Sequence, residues 1–380
     1  MRWGEFLMNE SMQTPETMNQ GKNLGVQNDA PKRFQTSLMM HSYMQQRFKN
    51  VARKDGFRAE NIPEFKVWKE NLGNLLRDIT GYNTMIPAPL TPKITEEVKF
   101  DDYLRQRVEI QTEPGVIMPL YVLIPHHISP PYPVILAPHG HGSGGKSAVA
   151  GCREDPIIAH AIDHFNYDYG LQFVLEGFIT FCPDARGFGE RQEFASKEDI
   201  CSSSCQWINN MAIPLGQTVT GMWTWDLHRL IDYIETREDC DSTRIGSAGL
   251  SGGALQTLWA AALDDRIKCS ILSGYFYGYK EALLDRYTNC SCNYVPHLFE
   301  CIDMGDLGAL IAPRPLLIES GTRDPLNGAS GLENVKSQIK IAKRAYHLFN
   351  AEDALKNVVF DGEHRWDGKQ SVKWMNQWLI

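Results

Sequence analysis

The residues Gly249-Leu250-Ser251-Gly252-Gly253 set a serine between glycines at the spacing G-x-S-x-G. A serine hydroxyl is a poor nucleophile until a base removes its proton, and that base needs a carboxylate to fix its tautomer. Glycines two before and two after the serine let the backbone turn sharply without side-chain collision, lifting the Ser251 hydroxyl into the open. The N–H of Gly252 is then free to meet an oxyanion at the start of the following helix. A plain structural turn is the competing reading of these five residues, so their context decides.

That context is favourable. Residues 244–248 read as a strand, and residues 254–263 are rich in helix formers, which gives the strand-turn-helix setting that such a nucleophile requires. The acid and the base are expected later in the chain, each just after a strand. Beyond His297 there are two histidines, His347 and His364. His347 falls inside a helical stretch, residues 340–349, where a surface or packing role is expected. His364 follows the strand-like residues 357–360 in Asp361-Gly362-Glu363-His364-Arg365-Trp366 and is the expected general base. Residues 315–319 lead into Ser320-Gly321-Thr322-Arg323-Asp324-Pro325, which makes Asp324 the expected orienting acid. Glu319 is the runner-up, while Asp361 and Glu363 lie too close in sequence to His364 to be first choices.

The loop Pro138-His139-Gly140-His141-Gly142-Ser143-Gly144-Gly145 is dense enough in glycine for main-chain N–H groups to face a ligand. With Gly252, the residues Gly140, His141 and Gly142 are the expected oxyanion donors. Counted literally, Gly140 to Ser147 also matches G-x-x-x-x-G-K-[ST], with Asp184 available as a magnesium-binding acid. Nucleotide hydrolysis would leave Ser251, Asp324 and His364 unexplained, so it is set aside. Asp184-Ala185-Arg186-Gly187 reads as a rim loop with Arg186 pinned by a carboxylate; contact of Arg186 with substrate is the alternative. Trp223 and Trp225 are expected in the core.

These groups need a scaffold. Two strands, residues 107–112 and 116–124, flank the turn Glu113-Pro114-Gly115, and the short strands 134–137, 178–182, 244–248, 267–272, 315–319 and 357–360 alternate with helices. The expected fold is α/β, a mainly parallel sheet with helices on both faces, an antiparallel edge, and a site beyond the carboxyl ends of the strands. Phe65, Trp68, Leu72, Leu75, Leu76 and Ile79 form a helical stripe, and Pro87, Pro89 and Pro92 mark a linker. Residues 1–95 are therefore expected as an N-terminal arm and helical extension, and residues 96–380 as the catalytic domain. Residues 1 to about 30 carry no periodic pattern and read as an arm or an oligomer contact.

The net charge of −8, with scattered Lys and Arg, excludes a phosphate-backbone partner, so no nucleic-acid binding is expected. No apolar run approaches the roughly 18 residues that cross a bilayer, and the first residues lack a signal-peptide core, so a cytoplasmic protein without membrane partners is expected. Nine cysteines do not suggest a disulfide framework. Cys290 and Cys292 are separated by one residue and Cys201 and Cys205 by three; each is half of a conceivable zinc site, but neither joins a second pair at a recognised spacing. No metal and no cofactor are expected.

At the residues quoted, the sequence resembles bacterial α/β-hydrolases close to the dienelactone hydrolase and acetyl xylan esterase group. The similarity runs from about residue 100 to 380, extends into the preceding helical region, and includes the His139-Gly140-His141-Gly142 loop, Asp184-Ala185-Arg186-Gly187, Ser251, Cys290-Ser291-Cys292-Asn293-Tyr294, Asp324 and His364. Dienelactone hydrolases use a cysteine nucleophile where this chain has Ser251, so lactone hydrolysis does not carry over. The resemblance implies a carboxylic ester hydrolase, with deacetylation of acetylated sugars as the expected activity. Two long segments, residues 190–216 and 279–304, are expected to form a lid and pocket walls. Trp207, Tyr287 and Tyr294 in them would either stack on a sugar or pack. The rivals are a serine peptidase and a catalytically silent binding protein on the same fold.

Overall fold

The computed structural model describes residues 38–194 and 199–380. The expected arm, residues 1 to about 30, and four residues of the first expected lid segment lie outside them. The chain enters through α1 (Met40–Val51) and α2 (Ile62–Thr80). Asn61 caps α2 by accepting from the Glu64 N–H, Pro63 stands in its first turn, and Gly81 closes it at φ 74°. A side chain at Gly81 would meet the Gly216 carbonyl at 2.2 Å, so only glycine fits both the conformation and the contact.

Among the described residues nine strands follow: β1 (Lys93–Lys99), β2 (Tyr103–Glu113), β3 (Val116–Pro125), β4 (Tyr132–Leu136), β5 (Ile179–Pro183), β6 (Cys240–Leu250), β7 (Ile267–Ser273), β8 (Leu316–Gly321) and β9 (Leu355–Phe360). They form one sheet in the order β1-β2-β3-β5-β4-β6-β7-β8-β9. Pairing is antiparallel from β1 to β5 and parallel from β5 through β4 to β9. The expected mainly parallel sheet with an antiparallel edge is thus present. Its outermost strand, β1, was not legible in the sequence, because almost all of it is exposed and Lys-Ile-Thr-Glu-Glu-Val-Lys carries little apolar alternation.

The remaining helices are α3 (Lys146–Val149), α4 (Pro156–Phe165), α5 (Tyr169–Leu175), α6 (Cys205–Ala212), α7 (Val219–Glu235), α8 (Gly252–Leu263), α9 (Leu298–Cys301), α10 (Met304–Ile311), α11 (Leu332–Leu348) and α12 (Ser371–Leu379). Successive strand residues point to opposite faces. Val134, Leu136, Leu316 and Ile318 enter a core shared with α2, α7, α8, α10 and α11. Ile135, Ala137, Ile271 and Leu317 enter a second core with α3, α4, α5 and α12.

One compact unit runs from Gln45 to Ile380, and residues up to Met44 fall in a separate one. Phe57, Phe65, Leu72, Leu76 and Met85 belong to the first of the two cores, and Arg77 Nη2 donates to the Leu263 carbonyl at the end of α8 (2.6 Å). The stripe on α2 is therefore part of the central sheet's own packing.

Candidate active site

Ser251 occupies the single residue between β6 and α8, at φ 56° and ψ −118°. A positive φ costs a non-glycine residue on the order of 1–3 kcal/mol and persists only where neighbours enforce it. Here the Ser251 N–H donates to the Ser273 carbonyl (2.9 Å) and its carbonyl accepts from Leu255 N–H (2.9 Å). The flanking glycines are sterically required. A Cβ on Gly249 would lie 2.3 Å from the Gly253 carbonyl carbon, and one on Gly253 would lie 2.1 Å from the Pro138 oxygen.

The loop after β4 is pressed against the start of α8. A Cβ on Gly140 would meet the Leu250 oxygen at 2.5 Å and Gly252 N at 3.2 Å; one on Gly252 would meet His141 Nδ1 at 2.9 Å. Gly140, His141 and Gly252 therefore lie together, with Gly142 following at φ 74°. Several side chains fix this loop. Tyr167 Oη donates to the His141 carbonyl (2.6 Å), Tyr169 Oη to the Pro138 carbonyl (2.5 Å), and Gln256 Nε2 to the His139 carbonyl (2.9 Å). Burial pushes both tyrosine pKa values up and keeps them as donors. His139 is fully buried, and its Nε2 accepts from Ala185 N–H (3.1 Å), which leaves the proton on Nδ1 to donate to the Gly140 carbonyl (3.0 Å). Burial lowers its pKa and favours this neutral form. Sequence reasoning singled out none of these four supports, since each acts across a long sequence separation.

Asp324 and His364 meet as expected. Asp324 follows β8, and one carboxylate oxygen accepts from Leu326 N–H (2.9 Å) while the other lies 2.8 Å from His364 Nδ1. The carboxylate is buried and the imidazole about one-fifth exposed. Both lie over Gly274, where a Cβ would be 2.9 Å from His364 Cε1 and 3.3 Å from the Asp324 oxygen. Gly274 directly follows Ser273, whose carbonyl holds the Ser251 N–H. Glycine at 274 thus leaves the room in which the imidazole sits.

Glu319, the runner-up acid, is engaged elsewhere. Its carboxylate accepts from Asp367 N–H (3.3 Å), Gly368 N–H (3.2 Å) and Ser371 Oγ (2.7 Å), anchoring the far side of the His364 loop, and burial raises its pKa. His347 is exposed on α11 and paired with Glu352 (2.5 Å). The phosphate-loop reading also fails: α3 has four residues rather than a long helix, and Lys146 Nζ is held by Asp184 (2.6 Å) and Glu190 (2.5 Å).

Arg186, expected among the substrate contacts, has its guanidinium committed to Asp226 through Nε (3.1 Å) and Nη2 (2.8 Å) and to Glu113 (2.8 Å). This is the pinned arrangement of the first reading, and a fork spent on two carboxylates is not available to a substrate. Trp223 and Trp225 are buried, their indole N–H groups donating to the Arg186 and Thr112 carbonyls. Trp207 on α6 is exposed, while the Tyr294 hydroxyl donates to the Leu283 carbonyl (3.1 Å). The two long segments expected as lid and walls are joined, with Asn209 Nδ2 donating to the Ser291 carbonyl (2.9 Å), and Thr220 Oγ1 at the start of α7 donates to the Cys292 carbonyl (2.5 Å). One further group forms there: His141, Cys205, Cys290 and Cys292 bring their ligand atoms within 4.8 Å of one another. Among the described residues no helix is long and apolar enough to cross a membrane.

The fold has counterparts among known proteins. The chain is 27% identical over 270 residues, 69% of its length and 83% of the relative's, to YtaP of Bacillus subtilis (strain 168), provisionally described as a hydrolase. A structure from Bacteroides fragilis NCTC 9343, provisionally described as an acetyl xylan esterase, is similar at a TM-score of 0.74 and 18% identity, over 90% of this chain and 95% of that one. A glucuronoyl esterase from Solibacter usitatus is similar at a TM-score of 0.60 and 17% identity, over 86% and 96% of the two chains. The model of the abhydrolase family matches residues 27–371, and the chain belongs to that family.

Proposed function

We propose that the protein is a carboxylic ester hydrolase whose nucleophile is Ser251, whose general base is His364 and whose orienting acid is Asp324. The observation that carries this reading is the His364–Asp324 contact of 2.8 Å lying over Gly274, next to the residue that holds the strained Ser251 turn. In this reading His364 donates its Nδ1–H to Asp324 and presents Nε2 to the hydroxyl. As Ser251 Oγ bonds to the ester carbonyl carbon, its proton passes to Nε2, and the carbonyl oxygen becomes an oxyanion facing the N–H of Gly252 and one from Gly140 to Gly142. The alcohol leaves with the proton from His364, and water then releases the acid by the same route in reverse roles. Acetylated carbohydrates are the proposed substrates; support comes from structural relatives described as acetyl xylan and glucuronoyl esterases.

The test is hydrolysis of p-nitrophenyl esters of increasing chain length beside acetylated xylo-oligosaccharides. Acetate preference is expected, with Ser251→Ala lowering kcat by about 10⁴-fold or more and abolishing fluorophosphonate labelling. Preference for long chains would move the assignment to lipid esters, and cleavage of peptides instead of esters would move it to the peptidases. An unlabelled wild-type Ser251 would favour a silent binding protein.

A further inference from the structure

Three of the four cysteines that spacing left unexplained, Cys205, Cys290 and Cys292, converge on the loop after β4. Cys205 opens α6, Cys290 and Cys292 bracket the turn that carries Ser291, and His141 stands beside Gly252. His141 Nε2 lies 3.8 Å from Cys205 Sγ and 3.7 Å from Cys292 Sγ, and all four ligand atoms are within 4.8 Å of one another. A tetrahedral zinc centre has Zn–S near 2.3 Å and Zn–N near 2.0–2.1 Å, which places its ligand atoms roughly 3.6–3.8 Å apart. The observed spacing reaches that tetrahedron with side-chain adjustments of an ångström or less.

We propose that His141, Cys205, Cys290 and Cys292 form a Cys₃His site for a thiophilic divalent cation, zinc above all. Three thiolates with one imidazole select such a metal over magnesium or calcium, which take oxygen ligands. On binding, each thiol loses its proton to solvent as its sulfur bonds the metal, and neutral His141 contributes the Nε2 lone pair. Two positive charges and three negative ones leave the centre with a single negative charge. Four protein ligands leave no open coordination position, so the centre is structural and not a source of activated water.

The surroundings suit that role. Phe188 packs edge-on against the His141 ring at 5.0 Å, Asn293 Nδ2 lies 3.7 Å from Cys292 Sγ, and the Asn293 side chain is in turn held by Tyr275 Oη (2.7 Å). Metal at this point would clamp α6 and the 290–292 turn onto the residue whose imidazole lies against Gly252. It would do so whether or not the protein hydrolyses esters, so the site stands independently of the proposed function.

Full-length protein purified without a histidine tag or chelator is expected to contain about one zinc per chain by elemental mass spectrometry. Cys290→Ser and Cys292→Ser are expected to lose it, while Cys240→Ser, at the start of β6, retains it. A wild-type measurement guards against misfolding of the variants: chelator-treated protein reloaded with Co²⁺ should show the strong ligand-field and thiolate charge-transfer bands of a tetrahedral sulfur-rich site. Absence of both zinc and those bands would overturn the proposal. So would a disulfide among the three cysteines in non-reducing peptide maps, or metal that survives both cluster substitutions.

Discussion

Two buried carboxylates end or follow the same strand, and their hydrogen bonds assign them different work. Asp324 spends one oxygen on Leu326 N–H and the other on His364, while Glu319 spends its carboxylate on Asp367, Gly368 and Ser371. Asp324→Asn is accordingly expected to leave thermal stability nearly unchanged and to lower kcat by about 10⁴-fold, because the amide favours the wrong imidazole tautomer. Glu319→Gln places an amide NH₂ against backbone donors, and its expected signature is about 1–3 kcal/mol of lost stability with a smaller loss of kcat. Paired melting curves and steady-state rates for the two variants check this, and a reversal of the two signatures would exchange the roles. At this scale much was legible. The glycines at 249 and 253, the order of Ser251, Asp324 and His364, and the Gly140 loop all have local or ordered signatures. Tyr167, Tyr169 and Gln256 had none, and Glu319 was visible only as the runner-up acid, since the work of a buried polar residue is recognisable only by the distant group it satisfies.

Each helix and strand here is held by what it packs against, and α2 shows how sequence underdetermines that. The stripe Phe65, Leu72 and Leu76 predicts an amphipathic helix packed on the main domain, which the structure contains, yet it does not say which elements receive it. That partner is the core containing α7, α8 and the sheet. Leu72→Ala and Leu76→Ala, at positions 2% and 0% exposed, are each expected to cost about 2–5 kcal/mol. Deletion of residues 45–95 is expected to abolish folding instead of releasing an active fragment. Urea denaturation measures both: a separate low-denaturant transition for α2, with activity retained after it, would restore the helix to the status of an appendage. The strand β1 failed the same sequence test from the opposite side, because an exposed edge strand needs no apolar face to announce it.

Across the whole molecule, the fold class was legible because strand and helix alternation is repeated, whereas convergence of remote segments was not. Lys146, Asp184, Glu190 and Arg107 illustrate the second kind, joining β2, the start of α3 and the loop after β5 through one charged chain. Lys146 is almost fully buried, and its charge is met by the carboxylates of Asp184 and Glu190 at 2.6 and 2.5 Å. Burial works against ionisation of Glu190, but hydrogen bonds from Arg107 and the charge of Lys146 hold its pKa down to about 2, below its ordinary value of 4.5. A carboxyl depressed in the folded state stabilises fully above its unfolded pKa, and that contribution fades as pH falls from 4.5 toward about 2. Glu190→Gln is therefore expected to be less stable than wild type near neutrality, with the gap narrowing as the buffer is taken below about pH 4.5. Because Glu190 is partly exposed, added salt should also shrink the gap. Urea midpoints for both proteins at neutral pH and at about pH 3 decide it: a gap that stays constant with pH would mean that Glu190 supports the fold through packing and not through its charge.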